Sequence, residues 1–71
     1  MRKHSLLVAG HPTSVTLEDA FWDALKEIAR ERGMPINDLA TEIDRKRDGN
    51  LSSAVRVFVL NTVRDKMTER K

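Results

Sequence analysis

No cysteine occurs among the 71 residues, so no disulfide staples the fold, and two histidines make a poor metal site. Long apolar runs are missing as well. Met1-Arg2-Lys3-His4 leads into a short segment, Ser5 to Ala9, before Gly10. That is too little for a signal-peptide core or a membrane span, and the expectation is a soluble, cytoplasmic protein with no membrane partner. Glycine-rich phosphate loops are absent, and no serine, histidine or carboxylate falls at a spacing that sets up a nucleophile and its base. No enzymatic role and no cofactor are therefore expected. A domain of this size buries only about 60% of its unfolded surface. Without cysteine or metal, self-association is the remaining ordinary route to stability.

Charge is present, and it is unevenly placed. The net charge is +2. Residues 1–17 hold Arg2 and Lys3 and no acid, residues 18–44 hold eight acids against three bases, and residues 45–71 hold eight bases against three acids. Both ends are basic around an acidic middle. Such a distribution fits solvated helices, and it equally fits a basic face for an anionic polymer.

The stretch that organises the chain is His11-Pro12-Thr13-Ser14-Val15-Thr16-Leu17. From Ser14 to Leu17, small polar and apolar residues alternate with the period of a half-buried strand: Val15 and Leu17 inward, Ser14 and Thr16 outward. A lone strand needs a partner for its backbone groups. No later segment matches it, so the sequence predicts pairing with a second copy, as an intermolecular two-stranded antiparallel ribbon. Residues 1–10 read as an N-terminal arm, with Leu6 to Val8 extending the ribbon or packing over the dimer. Gly10 and Pro12 call for a bend or bulge before the strand.

Three helical patterns follow this ribbon strand over 11–17. In the first, over 18–32, Phe21, Leu25 and Ile28 form a stripe widened by Trp22 and Ala29, and Gly33 is the stop. A short second helix over 35–46 begins with Pro35 in its first turn and carries Ile36, Leu39, Ala40 and Ile43 on one face. Charge and Gly49 then break the pattern around Arg45-Lys46-Arg47, a run more often solvated than bound to phosphate. Asn50 or Ser52 caps a last helix over 51–66 that is apolar nearly all round, with Leu51, Val55, Phe58, Val59 and Thr62 on one face. So apolar a helix in so small a chain points to a subunit interface. Val15, Leu17, Trp22, Val55, Phe58 and Val59 are the candidate dimer core.

Ser14-Val15-Thr16-Leu17 with its acidic helix start, followed by Asn50-Leu51-Ser52-Ser53-Ala54-Val55-Arg56, resembles the ribbon-helix-helix repressors of the MetJ/Arc type, and in particular their short bacterial subgroup. The second segment is similar to the N-x-S-x-A-[I/V]-R start of that family's second helix. Residues 34–49 depart from the pattern, which passes between its two helices through a short turn. In another register Pro35 to Ile43 is the family's second helix and Leu51 onward is an added one.

The resemblance implies a mainly α fold with one short N-terminal strand, in an intertwined homodimer whose ribbon enters the major groove of double-stranded DNA. Ser14 and Thr16 would then read base edges, with Pro12 at the third outward position. His11 and Thr13 would share the task if a bulge shifts the register. Asn50, Ser52 and Ser53 at a helix start would hold the phosphate backbone, and Arg2 and Lys3 would reach phosphates from the arm. The function implied is a sequence-specific, repressor-like transcriptional regulator. The alternative is a protein-interaction module such as the antitoxin of a toxin–antitoxin pair, although the few residues after Lys66 make a short toxin-binding tail.

Overall fold

A computed structural model of the chain describes residues 1–47 and 49–69, the side chains of Thr68 and Glu69 excepted. Asp48, in the loop expected before the last helix, lies outside the described residues. The elements are β1 (Arg2–Val8), β2 (His11–Leu17), α1 (Asp19–Glu31), α2 (Ile36–Lys46) and α3 (Leu51–Glu69).

The two strands form an antiparallel hairpin in which Arg2 opposes Leu17, Ser5 opposes Ser14 and Val8 opposes His11. Between them stand Ala9 and Gly10, with φ of 51° and 81°. Positive φ at both central residues is what a two-residue turn matched to the strand twist requires. Gly10 adopts it without steric cost; Ala9 does not.

This pairing corrects two expectations. The partner of β2 is the chain's own N-terminal segment, not a second copy, and residues 2–8 are a strand, not an arm. The register runs without a bulge. Leu7 conceals the strand in the sequence. It points outward and stays 47% exposed, so Leu6-Leu7-Val8 reads as an apolar run without alternation. Ala-Gly also lacks the Asn-Gly or Asp-Gly signature of tight hairpins. Pro12 is tolerated because its nitrogen points away from β1, at an edge position where no ladder donor is missing.

Leu6, Val8, Val15 and Leu17 form the inner face of the hairpin and join Leu25, Ile28 and Ala29 of α1, Leu39, Ala40 and Ile43 of α2, and Val55 and Val59 of α3 in one core. α1 stops where Gly33, at φ 67°, lets its own N–H donate to Arg30 O and the Met34 N–H reach Ala29 O, both near 3 Å. Pro35 sits one residue before the first turn of α2, in extended conformation, and its carbonyl accepts from Asp38 and Leu39. Asn50 caps α3 by accepting the Ser53 N–H at 2.8 Å.

The residues expected at a dimer core are largely used up within one chain. Val15, Leu17, Val55 and Val59 are at most 3% exposed. Trp22 is half-buried and stacks flat on His4, with ring centroids 4.0 Å apart, and Arg32 lies 5.1 Å from the centroid of the half-buried Phe58 ring. What α3 leaves open is its other side, where Val57, Leu60, Val63 and Met67 are 42% to 68% exposed.

The hairpin makes a direct prediction. Ser5 and Ser14 face each other at a non-hydrogen-bonded pair, where Cβ atoms lie about 5 Å apart. In a chain without cysteine, Ser5→Cys/Ser14→Cys should oxidise to a disulfide-bonded monomer on a non-reducing gel. A covalent dimer as the main product would restore the intermolecular ribbon.

Candidate nucleic-acid interface

Because side chains alternate along each strand, the hairpin has one face on the core and one in solvent. Lys3, Ser5 and Leu7 of β1 and Pro12, Ser14 and Thr16 of β2 make up the solvent face, and all six are exposed. They stand in three cross-strand rows: Leu7 with Pro12 nearest the turn, Ser5 with Ser14 in the middle, and Lys3 with Thr16 at the far end. The face contains no acid. Its hydroxyls can both donate and accept, its lysine donates, and the row nearest the turn is apolar.

Side chains from the helices close part of each hairpin edge. On the β1 side, Asn37 Oδ1 accepts the Leu7 N–H and Thr41 Oγ1 accepts the Ala9 N–H, both at 3.0 Å. Thr41 donates in turn to the Asn37 carbonyl at 2.9 Å, which orients its oxygen. On the β2 side, Ser52 Oγ accepts the Thr16 N–H at 3.1 Å, and Arg56 Nη2 donates to the Thr16 carbonyl at 3.2 Å. α3 therefore begins beside Thr16. A groove lined by Pro12, Ser14, Asn50 and Ser52 separates its start from the strand.

Several site candidates fall elsewhere. With no bulge, His11 and Thr13 lie on the core side of β2, opposite Val8 and Leu6. Arg2 and Lys3 separate onto opposite faces of β1, and Arg2 pairs with Asp19 at 3.6 Å. Ser14, Thr16 and Pro12 share the outer face, while Asn50, Ser52 and Ser53 gather at the α3 start alongside it. In that first turn, Asn50 is occupied as the cap, Ser52 keeps its hydroxyl proton to donate, and Ser53 is exposed. Arg47 is engaged by the Asp44 carboxylate and the Gly49 carbonyl.

Sequence reasoning missed Ser5, Leu7 and Arg56. The first two were hidden with β1 itself. Arg56 stood in a motif but carried no assigned role, because its two partners are 38 and 40 residues away. Its Nε donates to Glu18 Oε1 at 3.0 Å while Nη2 holds Thr16 O, so one guanidinium joins α3 to the junction between β2 and α1.

Glu18 precedes α1 but does not cap it with its side chain. Its own backbone N–H, and then the Arg56 guanidinium, hold its carboxyl below the ordinary value of 4.5. A depressed folded pKa contributes stability that is present above that ordinary value and lost as pH falls through the folded one. Thermal melts should accordingly show Glu18→Gln with a shallower loss of Tm below pH 4.5 than the parent. Arg56→Met should lie between them, because the backbone donor remains. Identical acid slopes in all three proteins would remove Glu18 from the pH response.

Among the described residues, no helix is long and apolar enough to cross a membrane. Comparison with curated proteins and with solved structures finds no match. Comparison with family models matches residues 1–63 to the ribbon-helix-helix domain. The hairpin followed by helices is consistent with that fold. On that match, which covers most of its length, the chain belongs to the ribbon-helix-helix domain family.

Proposed function

We propose that this protein is a sequence-specific, repressor-like transcriptional regulator that acts in the cytoplasm as a homodimer and reads the major groove of double-stranded DNA with its β-ribbon. The observation that carries the reading is the acid-free outer face of the hairpin with the start of α3 alongside. A major groove about 12 Å wide admits a two-stranded ribbon, and every base pair offers it a distinct set of donors and acceptors. Ser14 and Thr16 bond base edges there, the Thr16 methyl meets a thymine methyl, and Pro12 adds apolar contact. Ser52 and Ser53, with the positive end of the α3 dipole, hold a phosphate beside the groove and set the register without reading sequence.

Self-association is supported by the open side of α3. Val57, Leu60 and Val63 leave apolar area in water that a second copy of the helix would cover. That same open face favours the second reading, an antitoxin subunit whose α3 packs on a protein partner while the hairpin holds DNA.

Selection from a randomised duplex library at two salt concentrations tests the first reading. The parent should enrich one site. Ser14→Ala/Thr16→Ala should lose the preference yet keep salt-sensitive non-specific binding, which phosphate contacts supply. A confirmed dimer that binds no duplex at low salt would sink the regulator reading. For the dimer surface, Leu60→Glu should sediment as a monomer at concentrations where the parent is a dimer, with unchanged far-ultraviolet circular dichroism. An unaltered dimer would move the interface off α3.

A further inference from the structure

We infer that the groove between α2 and α3 is a binding site for a small monocarboxylate with an apolar body, such as an alkyl or aryl acid. The site lies outside the DNA-binding reading above and does not depend on it. Three observations carry it.

The first is shape. The groove holds about 390 Å³, within the range of about 300–1,000 Å³ common to small-molecule sites. Its floor is apolar, made by Ile43 of α2 and by Ala54, Val57 and Phe58 of α3. Ala54 is too small to fill the space between the helices, and Val57 is 56% exposed. Along α3 the lining runs from Ser53 to Asn61, about 12 Å of helix.

The second is charge, which has one sign and gathers at one end. Lys46 and Arg47 stand where α2 ends and the short connection to α3 begins, and Ser53 in the first turn of α3 adds an exposed hydroxyl. No acid lines the groove. Among the described residues Lys46 has no partner, and Arg47 uses Nε on Asp44 and Nη1 on the Gly49 carbonyl, which leaves Nη2 to donate. Asp44 offsets one of the two positive charges, so a single negative charge answers what is left. A carboxylate with an apolar tail meets both parts of the groove. A nucleotide or sugar phosphate would lay hydroxyls on the apolar floor, where they find no partner.

The third is what α3 lacks. A second copy of this helix is apolar enough to lie in the groove, but residues 51–64 contain no acid and the first is Asp65. It would cover Lys46 and Arg47 without a counter-charge, which is costly. Leu60 and Val63, on the open side of α3, lie outside the groove lining.

The test is a backbone-amide NMR titration of the parent with octanoate, its neutral analogue octanamide, and inorganic phosphate. Octanoate should shift the amides of residues 43–47 and 53–61 saturably. Octanamide should bind in the same place about fivefold more weakly, and phosphate should leave these amides unmoved. Lys46→Gln, a change at an exposed position, should weaken octanoate about fivefold and leave octanamide unchanged. Ala54→Leu, which fills the floor, should abolish both, with circular dichroism checking that it folds. Equal binding of octanoate and octanamide, or a phosphate response as strong as that to octanoate, would overturn the monocarboxylate assignment. So would the absence of any saturable shift. Binding by Leu60→Glu but not by the parent would give the groove to a second copy instead. No DNA is present in these titrations, so their failure leaves the regulator reading standing.

Discussion

The antiparallel pairing of β1 with β2 is the constraint on which the other features rest. It gives the strand a partner within the chain along one edge, and it sorts fourteen strand residues onto two faces. Leu6, Val8, Val15 and Leu17 go to the core, and an acid-free set, polar except for the Leu7–Pro12 row, goes to solvent. A slip of one residue in that register would exchange the two sets. Burying the apolar set fixes the register, each large side chain contributing about 1.5–3 kcal/mol, and the Ala9-Gly10 turn closes it.

The helices then complete what a two-stranded hairpin cannot do for itself. An isolated hairpin is marginal in water and has two open edges. α2 lays Asn37 and Thr41 against one edge, and α3 lays Ser52 and Arg56 against the other. The second contact has a further effect. It sets the start of α3, with its cap and hydroxyls, next to the outer face, so the contact that closes part of the edge also brings the helix start beside Ser14 and Thr16. Arg56 holds this joint through Glu18 and Thr16.

α3 divides its apolar residues between two tasks. Val55 and Val59 complete the core, and Val57, Leu60, Val63 and Met67 remain in water. Hydrophobic residues on both sides of one helix erase its amphipathic periodicity, which is why composition along this segment signals burial without naming what it is buried against. One half of that burial lies within the chain. The other half stays in water.

Local rules explain how much of this was readable beforehand. Alternation marks Ser14 to Leu17, the stripe of Phe21, Leu25 and Ile28 marks α1, Gly33 marks its end, and Asn50 or Ser52 marks the start of α3, because each depends on neighbours within a turn or a strand's period. The outward direction of Ser14 and Thr16 follows from the same period. Tertiary structure alone decided where β2 finds its partner, since Leu7 breaks the polar alternation of β1 and a hydrogen-bond ladder leaves no mark on composition. It decided that Lys3 and Ser5 share a face with Thr16 and Ser14 while Arg2, His11 and Thr13 do not, because facing is fixed by register between strands. It also decided the role of Arg56, whose partners lie 38 and 40 residues away, beyond the reach of any local pattern.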